Sequence, residues 1–175
     1  SGKGSKTLYP SKKQFLSSFD KNFISAFETT KEFLDTLIKN KGNVIFISSI
    51  TSLEILKAPM EYSISKTAIN SFSKQLSILY GEKIRVNTVI PGNILIKNNN
   101  WWKKLQKDKS KTINYIKQNV PQKRFGKPEE VANFAKFVYL SDIDENRRQL
   151  VYNVFSPVEN FLGNMVEMLV LWYGG

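Results

Sequence analysis

Tyr62-Ser63-Ile64-Ser65-Lys66 sets a phenol and an ammonium group four residues apart, which on a helix is one turn and one face. A free tyrosine titrates at about 10 and is a poor acid or base at neutral pH. An ammonium ion a few ångströms away favours the phenolate, so that proton exchange with a substrate oxygen becomes feasible. Ser49 lies thirteen positions before Tyr62, and a hydroxyl there could donate to a carbonyl oxygen. Pro91-Gly92 offers close backbone approach to a flat ligand. Asn22, in Phe19-Asp20-Lys21-Asn22-Phe23, stands at the start of a long helical pattern, where asparagine ordinarily serves as a cap. Alone, the Tyr–Lys pair also reads as a surface i,i+4 contact; the elements around it decide between the two.

Those elements are legible from periodicity. Ser11 to Phe19 predicts a short helix capped by Ser11. From Asn22 to Lys39, Phe23, Ala26, Phe27, Phe33, Leu34, Leu37 and Ile38 recur at helical spacing, and Lys39-Asn40-Lys41-Gly42 supplies a stop. Asn43 to Ile50 is a nearly continuous β-branched and aromatic run, the signature of a strand buried on both faces. Tyr62 to Leu79 predicts a second long helix and Ile84 to Ile90 a second buried strand. Pro128-Glu129-Glu130 opens a third helix, with Val131, Phe134, Ala135, Val138 and Tyr139 on its apolar face. Alternating helices and continuous apolar strands predict an α/β fold with a parallel sheet, in part doubly wound if the order continues. Ligands then belong at the carboxyl ends of the strands, which are Ser48-Ser49 and Pro91-Gly92.

Composition narrows the chemistry. The 175 residues contain no cysteine and no histidine, which excludes disulfides, thiolate or imidazole zinc sites and any Ser-His-Asp triad within the chain. No metal site is expected. The polar start and the Asn164 and Glu167 interruptions of Phe161 to Tyr173 give no leader and no membrane span, and a cytoplasmic setting is expected. Of a net charge of +11, the stretch Lys97 to Arg124 carries nine cations against Asp108 alone. It also holds Trp101 and Trp102, which could stack on a base or pack on a ligand; a plain solvated lysine-rich helix is the bland alternative.

The joint pattern resembles the short-chain dehydrogenase/reductase family. The family's Asn, Ser, Tyr, Lys tetrad falls on Asn22, Ser49, Tyr62 and Lys66. Val44 to Ser49, Tyr62 to Ile69, Arg85 to Gly92 and Pro121 to Ala132 are similar to its strand, helix, Pro-Gly and "P..R.G.peEvA" segments. The resemblance implies a Rossmann-like fold binding NAD or NADP and acting on a carbonyl or alcohol. Tyr62 would be the proton donor or base, and Lys66 would stabilise the phenolate and hold the ribose hydroxyls. Ser49 would polarise the substrate oxygen, and Asn22 would position a relay water. Pro91, Gly92 and the backbone of Ile94 would face the nicotinamide. Residues 1–142 would be the C-terminal portion of the catalytic domain. Within it, residues 93–124 would form a basic substrate lid carrying Trp101 and Trp102, favouring an anionic small molecule. The family commonly forms homo-oligomers.

Three departures accompany the resemblance. The Gly-rich turn of the cofactor-binding half is absent, so the chain is expected to lack that N-terminal half. No threonine follows Pro91-Gly92, where Asn93-Ile94-Leu95-Ile96 stands. Residues 143–175 form a divergent tail. A catalytically inactive fragment and a basic nucleic-acid-binding module are the alternative readings, the second predicting steep salt dependence.

Overall fold

The computed structural model describes residues 9–56, 58–140 and 151–154. Helix α1 (Lys12–Phe19) starts at Ser11, whose hydroxyl accepts from the Gln14 N–H while the Gln14 side chain accepts from the Ser11 N–H, the reciprocal capping box. The expected break before Asn22 is not there. The chain passes through a π turn (Asp20–Ile24) into α2 (Ser25–Lys39) without uncoiling. Asn22 therefore caps nothing; its Nδ2 donates to the Ser18 carbonyl at 2.8 Å, inside the widened turn.

The stop after α2 is set by two different residues. Lys41 takes the left-handed backbone, at φ 47°, and the Gly42 N–H closes onto the Leu37 carbonyl at 2.8 Å. Gly42 serves space rather than φ: a Cβ there would displace Leu37 Cδ2, 2.7 Å away, and crowd the Leu37 Cα and carbonyl at 3.2 and 3.3 Å.

Strand β1 (Asn43–Ile47) pairs in parallel with β2 (Arg85–Pro91), which pairs in parallel with β3 (Val151–Val154). Helix α3 (Met60–Tyr80) makes the crossover between the first two. The parallel α/β expectation holds, with two corrections. β1 ends at Ile47, three residues early, because Ser48 and Ser49 run out into a 3₁₀ turn (Ile50–Ser52). Nor is β1 buried on both faces: Ile47 is 42% exposed, and among the described residues β1 has a neighbour on one side only. β2 is the strand that fits the expectation, with Val86 through Pro91 all buried. β3 lies in the tail, to which periodicity assigned no element; the rest of residues 143–175, with the apolar run Phe161 to Tyr173, lies outside the described residues.

Phe46, Ile69, Leu76, Ile84 and Val86 form the core between sheet and helices. Phe72 is its hub, meeting Phe23, Phe27 and Phe46 at centroid distances of 5.9, 5.5 and 5.6 Å. A polar tie is built into it: Thr88 Oγ1 donates to Ser73 Oγ at 2.8 Å with both residues fully buried. It ties α3 to β2 at little net cost, since neither buried hydroxyl is left without a hydrogen bond.

After β2 the chain leaves the sheet for α4 (Asn100–Lys107) and α5 (Lys109–Asn119), and returns to α6 (Pro128–Leu140). The Gly126 N–H bonds the Asn93 carbonyl at 2.9 Å and the Leu95 N–H bonds the Gly126 carbonyl at 3.0 Å, so the two roots of this excursion are stitched together. On α6, Val138 is buried but Tyr139 is 56% exposed, against its expected place on the apolar face.

The return root is held by a bidentate pair, Arg124 to Glu130 at 2.9 and 2.7 Å, and Glu130 also accepts from the Lys127 N–H at 2.7 Å. The Arg124 hydrogen bonds hold the Glu130 carboxyl down at about 2. A depressed carboxylate contributes stability above its unfolded value, which is lost as pH falls towards 2. Both partners are substantially exposed, so solvent limits the pair to no more than about 1 kcal/mol. Glu130→Gln should lower Tm at neutral pH by about 3 °C or less and flatten the stability decline between about pH 4.5 and 2, as read by thermal melts across that range.

Candidate active site at the carboxyl end of the sheet

The parallel register brings the strand ends together. Ile47 pairs with Val89, and the Ser48 N–H bonds the Val89 carbonyl at 2.8 Å, which sets Ser48-Ser49 alongside Ile90-Pro91. Helix α3 is tied to this edge by two contacts: Ser48 Oγ lies 3.0 Å from the Lys66 carbonyl, and Lys66 Nζ donates to the Ile47 carbonyl at 2.9 Å. Tyr62 and Lys66 share one face of α3, with Nζ 5.9 Å from the phenol ring centroid. Burial pulls the Lys66 ammonium below its ordinary pKa, which brings its neutral form closer to working pH.

Ser49 is buried and extended, at φ −157°. Its Oγ accepts from the Thr51 hydroxyl at 3.1 Å and the Thr51 N–H at 3.4 Å. A hydroxyl has one proton and two lone pairs, so Thr51 leaves the Ser49 proton available to a substrate oxygen.

Asn22 and Lys66 line one open groove of about 400 Å³ between the π turn and the unpaired side of β1. The groove also takes in Val44 through Ile47. At the end of β2, Pro91 and Gly92 lead into Asn93-Ile94. The Ile94 carbonyl accepts from Asn99 Nδ2 at 3.0 Å, and Asn99 Oδ1 caps α4 by accepting from the Trp102 N–H at 2.8 Å. Among the described residues the Ile94 N–H has no partner, which suits a backbone donor facing a ligand amide.

Trp101 is held by the excursion itself, 5.5 Å from both Tyr115 and Phe125, with Lys104 Nζ 4.3 Å over its ring. These contacts pack Trp101 within the excursion. Among the described residues no group of metal-ligating side chains occurs, and no helix is long and apolar enough to cross a membrane.

A parallel α/β sheet with a serine and a Tyr–Lys helix at its carboxyl edge defines a dehydrogenase-type architecture. Residues 2–144 match the family described as enoyl-(acyl carrier protein) reductase, and the chain belongs to this short-chain dehydrogenase/reductase family. It is 36% identical over 122 residues to glucose 1-dehydrogenase 2 of Bacillus subtilis, covering 68% of this chain and 45% of that protein. It is also 36% identical over 121 residues to the 3-oxoacyl-(acyl-carrier-protein) reductase of Buchnera aphidicola, covering 67% and 46%. The structure of L-sorbose reductase from Gluconobacter frateurii superposes with a TM-score of 0.78 at 24% identity, over 92% of this chain and 64% of that one, a likeness of fold. The chain spans about half the length of the curated relatives it matches.

Proposed function

We propose that this chain carries the substrate-side half of an NAD(P)-dependent short-chain dehydrogenase/reductase that interconverts a carbonyl and an alcohol. The observation that carries the reading is Ser49, its proton unspent, at the strand edge to which the Tyr62–Lys66 helix is bound. The residues fit a nicotinamide nucleotide: Lys66 offers a donor for ribose hydroxyls, and the Ile94 N–H and Pro91-Gly92 offer an approach for the flat ring. When bound, that group supplies or accepts the hydride. Ser49 donates to the substrate oxygen and holds it beside Tyr62. Tyr62 delivers a proton to that oxygen in reduction, or removes one in oxidation, and Lys66 stabilises the phenolate. Asn22, on the groove it shares with Lys66, positions the water that restores the proton.

The excursion over residues 93–124 is the substrate lid, with Trp101 and Trp102 on its substrate side. Its lysines favour an anionic substrate such as a sugar phosphate, a nucleotide-linked sugar or an acyl group on an acidic carrier. Exposed Leu16, Phe33, Ile78 and Leu79 on the helices support assembly into a homo-oligomer. The test is a substrate panel with NADH and NADPH, run on the gene product in its native reading frame. Anionic carbonyl compounds should exceed neutral ones in kcat/KM by about 10-fold or more at low salt, the advantage shrinking as ionic strength rises. Equal rates would remove the anionic assignment, and no hydride transfer to any carbonyl would remove the enzymatic one.

A further inference from the structure

Helix α3 carries a third polar residue on the face of Tyr62 and Lys66. Asn70 follows Lys66 by four residues, so the three recur one turn apart. Asn70 Nδ2 donates to Ser52 Oγ at 2.8 Å, and Ser52 Oγ donates to the Ser49 carbonyl at 2.6 Å. The Ser52 N–H bonds the same carbonyl at 2.8 Å, and the Ser52 carbonyl lies 3.2 Å from Thr67 Oγ1, whose single proton is also within 3.0 Å of the Ser63 carbonyl. We propose that Asn70 and Ser52 are positioning residues that clamp the Ser49 backbone to the helix bearing Tyr62 and Lys66, thereby fixing where the Ser49 hydroxyl stands. This rests on the catalytic reading of Ser49 and Tyr62.

Proton accounting gives Asn70 its part. Ser52 has one proton, and spending it on Ser49 requires donors for the Ser52 lone pairs. Ser48 Oγ is one neighbour, at 3.2 Å, but its single proton is also within 3.0 Å of the Lys66 carbonyl. The Asn70 amide can only donate there, so it sets the direction of the chain Asn70→Ser52→Ser49. The arrangement is costly. Asn70 Oδ1 is buried without a partner among the described residues, a penalty that a leucine of similar size would avoid. Packing alone gives no return on that cost; the N–H₂ donation to Ser52 does.

Asn70→Asp keeps the shape and removes the donor, leaving an acceptor that competes for the Ser52 proton. In the native protein it should lower kcat roughly 10- to 100-fold while KM for the cofactor moves less than about threefold, the signature of a misplaced reacting group. In the same protein, exchange of the Ser52 amide should accelerate by about tenfold or more, a readout independent of turnover. Asn70→Leu should do the same, and Ser52→Ala combined with it should add little. Unchanged kcat and unchanged Ser52 exchange in both Asn70 variants, beside a Tyr62→Phe variant that is dead, would overturn the clamp alone. If Tyr62→Phe stays active the catalytic reading fails, and accelerated exchange would still establish the clamp as a structural one.

Discussion

Tyr62→Phe should abolish turnover and leave the fold untouched. The loss expected for a positioned general acid is roughly 10²- to 10⁴-fold in kcat/KM. The structural cost should be small for a specific reason: among the described residues the phenol oxygen has no hydrogen-bond partner, so its removal orphans no buried group. The ring stays, with its contact to the Lys66 ammonium at 5.9 Å. Initial rates followed at the nicotinamide absorbance, together with a thermal melt, separate the two effects. The expected pair is a lost rate and a Tm within about 1 °C of the parent. A rate within a few-fold of the parent would place the proton donor elsewhere, and the reading of the strand edge as an active site would fall with it.

The parts that sequence reading reached are those that depend on local pattern. The Tyr62–Lys66 spacing, the two long helices and the β1–β2 pair all follow from periodicity in short windows, and the parallel arrangement follows from their order. What it did not reach depends on contacts distant in sequence. The π turn at Asn22 is one case. An asparagine before a phenylalanine reads as a cap, whereas in the fold Phe23 seats against Phe72, far away in sequence, and the coil stays continuous there. β3 is another, since the four residues Val151–Val154 are too short for alternation to stand out. The role of Asn70 was hidden for a different reason. Its partner Ser52 lies eighteen positions away in a serine-rich turn, where residue type alone discriminates nothing.

The lysine-rich segment divides its side chains between structural contacts and solvent. Asp108, its single acid, accepts from the Lys111 N–H to cap α5 and so is spent on the backbone. Trp101 is spent on Tyr115, Phe125 and Lys104. What remains is an exposed set of cations carried on two short helices whose roots are pinned at Gly126 and Glu130. If the segment is the lid proposed above, it would draw an anion towards the strand edge with field and geometry fixed by different residues.

Lys66→Met should separate function from stability in the opposite sense to most core changes. Turnover should fall by at least about 10²-fold, with a raised KM for the cofactor, while Tm at pH 7 stays equal to the parent or rises. Burial lowers the Lys66 pKa in the folded chain. Between that lowered value and the unfolded value of about 10.4, the unfolded chain binds more protons, so parental stability climbs with pH across this window. Below the window the ammonium's burial penalty is present in full, and methionine removes it. The bond lost is Nζ to the Ile47 carbonyl at 2.9 Å, but Ile47 is 42% exposed, so water can take the place of the donor. Melts from neutral pH to about 10.4 should therefore show a rise in the parent that the variant lacks. A Tm several degrees lower in the variant at pH 7 would mean that the ammonium–carbonyl tie outweighs the burial penalty. Lys66 would then be holding the edge of β1 as well as serving Tyr62. Arginine is not expected to restore turnover, because its planar guanidinium does not reproduce the compact ammonium site.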